Sequence, residues 1–183
     1  VQDLQTSFDA SRSKGDIKAA VPFAEKIILV LEQQRITDTT IYIKKLLQLS
    51  RTYLNASRSE EAEKCSLKAL AVARPNDPQY ADALIEWSAS IGSQGEYERA
   101  DSIAQLAIDL RKILLGKDNI HYCGALLAAG AWQFQGGYTT KAINTLEECR
   151  SLWKKNNFDK PNLLVETLNY LGSCYYTVGK STE

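Results

Sequence analysis

The sequence predicts an all-α protein built of antiparallel helix pairs, four pairs and one terminal helix, and two observations carry that prediction. The first is a turn that recurs at a nearly fixed spacing. Gly15-Asp16-Ile17-Lys18-Ala19-Ala20 is echoed by Ser57-Arg58-Ser59-Glu60-Glu61-Ala62, Gly95-Glu96-Tyr97-Glu98-Arg99-Ala100 and Gly137-Tyr138-Thr139-Thr140-Lys141-Ala142. The turn positions 15, 57, 95, 137 and 179 lie 42, 38, 42 and 42 residues apart. The short step lacks about one helical turn, so the faces stay in phase.

The second observation is a stripe at helical offsets before each turn. Eleven, eight, seven and four residues back stand Leu46, Leu49, Ser50 and Tyr53, then Leu84, Trp87, Ser88 and Ile91. Later copies read Leu126, Ala129, Gly130, Gln133 and Leu168, Leu171, Gly172, Tyr175. Offsets of three and four define one face of a helix. Large apolar residues pack inside the pair, and the Ser or Gly column admits a close neighbour. The alanine after the turn, with Ala24, Ala104 and Leu146 four residues on, marks the facing stripe of a second helix.

Helix pairs are therefore expected at Val1–Arg35, Asp38–Ala73, Asp77–Leu115 and Ile120–Asn156, with a last helix at Pro161–Val178. Pro75, Pro78 and Pro161 fall between repeats, where a missing N–H costs least. Pro22 departs from this rule and is expected in the first turn of its helix or at a kink. The first helix carries Ser7 and Ser11 where large apolar residues are expected, as terminal repeats often do. Gly179 is read as a fifth repeat turn.

This column pattern resembles the tetratricopeptide repeat family, and the 42-residue spacing resembles its longer-helix subclass, found in kinesin light chains and bacterial signalling proteins. The resemblance implies one array over residues 1–183, with repeats at 1–36, 37–75, 76–117 and 118–158 and a half repeat at 159–183. It implies a right-handed α-α superhelix, a tetratricopeptide solenoid whose inner wall is lined by the first helix of each repeat. In the family the inner residues lie 13, 10, 6, 3 and 2 before the turn. Carried over, the partner-binding candidates are Lys44, Leu47 and Arg51 in the second repeat, Ile85 in the third, Leu127 and Phe134 in the fourth, and Asn169 and Tyr176 in the half repeat. The family's Lys and Asn clamp for chaperone tails is matched here by Leu47, Ile85 and Leu127, which argues against such recognition. The wall instead runs from cationic to apolar, suiting an amphipathic or extended hydrophobic peptide or partner helix. Asn169 is placed to hold a peptide backbone, as matching asparagines do in related repeats.

Composition excludes several classes. Lys plus Arg and Asp plus Glu each number 22, with 12 of each sign up to Ile91, so no basic face offers itself to nucleic acid. Apolar runs such as Ile27 to Leu31 fall far short of the roughly 20 residues a membrane span needs. The four cysteines, Cys65, Cys123, Cys149 and Cys174, sit inside helical patterns without metal-ligand spacing. They read as free buried thiols in a reducing, cytoplasmic setting. Gly179-Lys180-Ser181-Thr182 ends like a phosphate loop, but Cys174 stands where its first glycine belongs. His121 is the single histidine and reads as a helix-start residue, while Glu60-Glu61 and Glu147-Glu148 read as solvated pairs. No catalytic constellation, cofactor or metal is expected.

The expected function is that of a non-catalytic protein-interaction module. The alternative is a regulatory or sensor region of a larger enzyme or signalling protein, such as a caspase-like protease, a kinase or a transcription regulator. The chain opens on Val1 and has no Met, and no second helix follows Gly179, so a fragment of a longer protein is expected. Self-association is a further expectation, because the last helix would present Leu168, Leu171, Tyr175 and Val178 uncovered.

Overall fold

The computed structural model describes residues 2–33 and 38–180, the side chain of Lys180 excepted. Among these the chain is helical throughout, with α1 Gln2–Ser13, α2 Ile17–Gln33, α3 Thr39–Asn55, α4 Ser59–Val72, α5 Pro78–Gly92, α6 Tyr97–Leu115, α7 Ile120–Gln135, α8 Thr139–Asn156 and α9 Pro161–Lys180. Arg35, the expected end of the first pair, lies outside the described residues. The helices fall into two compact units, Val1–Gln94 and Gly95–Glu183.

Each boundary has a local cause. The carboxylate of Asp38 accepts hydrogen bonds from the N–H groups of Thr40 and Ile41, at 2.9 and 3.2 Å, and so caps α3. Asp77 accepts from Gln79 N–H ahead of α5, where Pro78 opens the helix without wasting a donor. Asn119 accepts from His121 N–H and starts α7, so His121 is the helix-start residue expected. The turns close by a shared device. Gly15, Ser57, Gly95 and Gly137 all have positive φ, between 59° and 87°. At Gly137, its own N–H reaches the Phe134 carbonyl while Tyr138 N–H reaches back to Gln133, a Schellman arrangement. Ser57 occupies the same left-handed position despite its Cβ.

The small-residue column packs as expected. Ser50 is fully buried and bonds the Ala62 carbonyl and Ser66 Oγ of the second helix, at 3.0 and 2.9 Å. A Cβ added to Gly130 would stand 2.5 Å from Leu146 Cγ. Facing them, Ala20, Ala62, Ala100 and Ala142 are completely buried. In α1 the column is filled differently, because Phe8 stands seven before Gly15 and is wholly buried, anchoring a helix whose Ser7 and Ser11 contribute little to the interior. All four cysteines are free and buried. Burial pushes the Cys65 thiol up to about 11.

Several expectations require correction. Gly179 makes no turn: α9 runs on through it to Lys180, past the expected end at Val178. Pro22 lies inside α2 beyond its first turn, where it removes the donor that would meet the Lys18 carbonyl. Leu171 is only 3% exposed and belongs to the interior, whereas Leu168, Tyr175 and Val178 are exposed. Glu147 and Glu148 are half-buried and partnered, Glu147 by Arg150 and Tyr175, and Glu148 by Lys117 and Tyr122.

The column separates two glycines of one sequence position. Gly130→Ala is expected to destabilise by about 1–3 kcal/mol through overpacking on Leu146. Gly172→Ala meets nothing within 4 Å and is expected to stabilise by about 0.5–1 kcal/mol through helix propensity. Urea denaturation of both variants checks the pair, and equal signs would refute the packing scheme. A second expectation concerns Tyr42, whose phenol donates to Glu32 at 2.7 Å and is pushed up to about 12 by burial and then by that carboxylate. Its folded value lies above the ordinary value near 10, so the neutral phenol is the form folding favours. That contribution is complete below pH 10 and is lost as pH rises toward 12. The stability difference between the wild-type chain and Tyr42→Phe should therefore shrink over that interval, hold constant at neutral pH, and shrink again in acid as Glu32 is protonated, since the same bond holds that carboxyl below its ordinary value.

Candidate peptide-binding faces on the first helices

The first helices of the repeats, α1, α3 and α5 in one unit and α7 and α9 in the other, carry every candidate binding residue. In the N-terminal unit α5 packs beside α3, and the covered sides of α3 lie against α2 and α4. Lys44 and Arg51 are exposed on the remaining side. Arg51 Nε donates to Glu86 Oε1 of α5 at 2.6 Å, and this carboxylate is buried. Ile85, next to Glu86, is half-buried. Leu47 is 6% exposed and packs in the unit's hydrophobic cluster with Leu46, Ile43 and Phe8, so it supports the face from beneath.

A cavity of about 290 Å³ opens between α1 and α3, lined by Arg12, Lys44, Lys45, Gln48 and Arg51. Arg12 is held over the Phe8 ring, 5.5 Å from its centre, and Lys45 Nζ donates to Gln5 Oε1 at 2.6 Å and Gln48 Oε1 at 3.3 Å. The cationic character read from Lys44 and Arg51 is thus concentrated in one place.

In the C-terminal unit α9 lies beside α7. Phe134 of α7 is half-buried and meets Tyr170 of α9 edge to face, with ring centres 6.3 Å apart. Asn169 is exposed, and Tyr176 is 65% exposed. Leu127 is 9% exposed and, like Leu47, belongs to the interior. This face is aromatic and polar, without the cations of the other unit's face.

Neither face has the makings of a metal site: among the described residues no three His, Cys, Asp or Glu side chains gather closely enough to hold an ion. Nor is any helix among them long and apolar enough to cross a membrane.

The family model of the tetratricopeptide repeat matches residues 92–121, which span the Gly95 turn, α6 and the start of α7. Solved structures extend the likeness to nearly the whole chain. BtubC (BKLC) from P. vanneervenii superposes with a TM-score of 0.79 at 16% identity, over 97% of this chain and 72% of its own. The fold is that of the tetratricopeptide repeat. A putative kinesin light chain from Podosopora anserina, with nearly identical TPR-like repeats, superposes with a TM-score of 0.77 at 13% identity, over 98% of this chain and 86% of its own. A Rap protein complexed with competence and sporulation factor gives 0.79 at 13% identity, where this chain spans 96% of itself and about half, 48%, of the Rap protein. No curated protein matches the sequence closely enough to count as a relative.

Tetratricopeptide geometry also explains which surface residues the sequence reading missed. Arg12 stands three before Gly15, one of the family's inner positions, and the same offset rule applied to the degenerate first repeat would have found it. Lys45 and Gln48 lie at no inner offset; they reach the cavity because α1 brings Gln5 across to them. Tyr170 is likewise outside the offsets and is placed by its contact with Phe134.

Proposed function

We propose that this chain is a non-catalytic interaction module that binds a peptide or partner helix on the exposed side of its first helices. The observation that carries this reading is the arrangement of anchoring groups there. Phe134 stands braced by Tyr170 of α9, the helix that also carries the exposed Tyr176 and Asn169, in one unit, and Arg51 is fixed by Glu86 beside Lys44 and Ile85 in the other. Rigid aromatic rings and positioned guanidinium groups are the side chains that supply most binding energy at interfaces. The Rap protein that shares the fold is complexed with competence and sporulation factor, which supports a ligand-binding role for an array of this kind.

The competing surface is the second helices, where Leu29 of α2 and Ile113 of α6 are exposed, the latter by 79%. Amide chemical-shift mapping with a random peptide pool separates the two. Perturbations are expected on α3, α7 and α9, with affinity falling about tenfold in Phe134→Ala and in Tyr176→Ala. Perturbations clustered around Leu29 and Ile113, unchanged by these substitutions, would sink the proposal.

Self-association is a second reading, favoured by one observation. Gly172 of α9 has open space where Gly130 of α7 meets Leu146, and Leu168, Tyr175 and Val178 flank it exposed. Much of the face that α7 buries is left outward in α9. Sedimentation at rising concentration is expected to show a dimer that Leu168→Glu abolishes, and a strict monomer of about 20 kDa at millimolar concentration would end this reading.

A further inference from the structure

The cavity between α1 and α3 gathers four cationic side chains, Arg12, Lys44, Lys45 and Arg51, with Gln48 and no carboxylate in its described lining. Like charges brought together repel, and three of the four are nevertheless held in place by neighbours outside the cavity. Arg12 rests on the buried Phe8 ring, Lys45 is tied to Gln5 of the opposite helix, and Arg51 is tied to the buried Glu86. Such an arrangement is relieved by an anion and prearranged for one, since little side-chain freedom is left to lose on binding. Over the whole chain the charges are matched in number, 22 of each sign, so this concentration is local.

The geometry points to a phosphomonoester, carried on a segment of a partner protein, as the group this cavity receives; the inference rests on the reading of the first helices as the binding face. A single carboxylate brings one charge and two oxygens to four cations. A phosphate on Ser, Thr or Tyr brings nearly two charges and three strong acceptor oxygens on one tetrahedral centre, which suits four converging donors in about 290 Å³. Arg51 has further N–H donors beside the one given to Glu86, and two of the three donors of Lys45 are committed to Gln5 and Gln48, leaving its third for a ligand oxygen. Nucleic acid is disfavoured because its phosphates come in rows, whereas these cations surround one point.

The test uses the 183-residue chain and phenyl phosphate, followed by amide chemical shifts at pH 7.5. Saturable shifts at Arg12 and Lys44–Gln48 are expected, with affinity about tenfold lower in Arg12→Gln and in Lys44→Gln and unchanged in Lys64→Gln on α4. Binding should weaken below about pH 6, where the phosphate takes up its second proton, while benzoate should bind more weakly and show no such step. A peptide pool with central phosphoserine should then be held at least tenfold more tightly than its serine counterpart. Absence of saturation, equal binding of benzoate, insensitivity to both substitutions, or no preference for the phosphoserine pool overturns the inference. Because phenyl phosphate reports on the cavity alone, its failure leaves the peptide mapping on α7 and α9 standing, and the two ideas fail separately.

Discussion

Everything in this protein depends on how closely the two helices of a pair approach each other. A helix can lie tight against another only where one side offers almost no side chain, and in the pairs α3–α4 and α7–α8 the chain supplies that twice. The first helix carries Ser50 or Gly130 in its column, and the second carries Ala62 or Ala142 after the turn, all buried in their units. At Gly130 the margin is less than a methyl group, because an added Cβ would collide with Leu146. Close packing at these points fixes the rotation of both helices, since turning either one would drive a larger residue into the seam. Once rotation is fixed, the opposite side of each first helix must face outward. The proposed binding faces are the geometric remainder of the seam.

The turns serve the same constraint. A helix reversal in few residues needs a backbone position with positive φ, and Gly15, Gly95 and Gly137 supply it without strain, Ser57 with some. A glycine permits this conformation without imposing it. What imposes it is the alanine five residues later, which is completely buried in all four repeats. At Gly179 the helix passes straight through, so a glycine at the repeat spacing does not by itself make a turn. Gly172 shows the same dependence one step earlier, as a seam residue with open space in front of it.

These relations decide what the sequence makes legible. Period and column were readable because both follow from the seam, and they place the helix pairs within a few residues. Counting from the turn sets a residue's angle around the helix, but not how far its side chain projects. Leu47 and Leu127 stand at inner offsets, yet each is nearly covered, because burial depends on how near the neighbouring helices come and on their side chains. Phe8 shows the converse: a large residue in the small-residue column of α1 is accepted because that helix has small side chains on either side of it, at Ser7 and Ser11. Lys45 and Gln48 became part of a cavity through Gln5, forty residues away in sequence, and no local pattern announces such a pairing.

The distribution of charge follows from the seam as well. Carboxylates of second helices are taken up by phenols of first helices, Glu148 by Tyr122 within a pair and, across to the next repeat, Glu25 by Tyr53, Glu32 by Tyr42 and Glu147 by Tyr175. Each bond ties a second helix to a first helix in the same unit, and burial together with the carboxylate raises the phenols of Tyr42, Tyr53 and Tyr122. Two of these carboxylates also draw in lysines, Lys68 to Glu32 and Lys117 to Glu148. Acidic groups are therefore spent on holding helices together. The cations of α1 and α3 gather at the cavity between those two helices, and among the described residues the carboxylate that reaches them is Glu86 of α5, bonded to Arg51. A balanced composition thus yields an unbalanced surface, because packing allots the two signs of charge to different sides of the same helices.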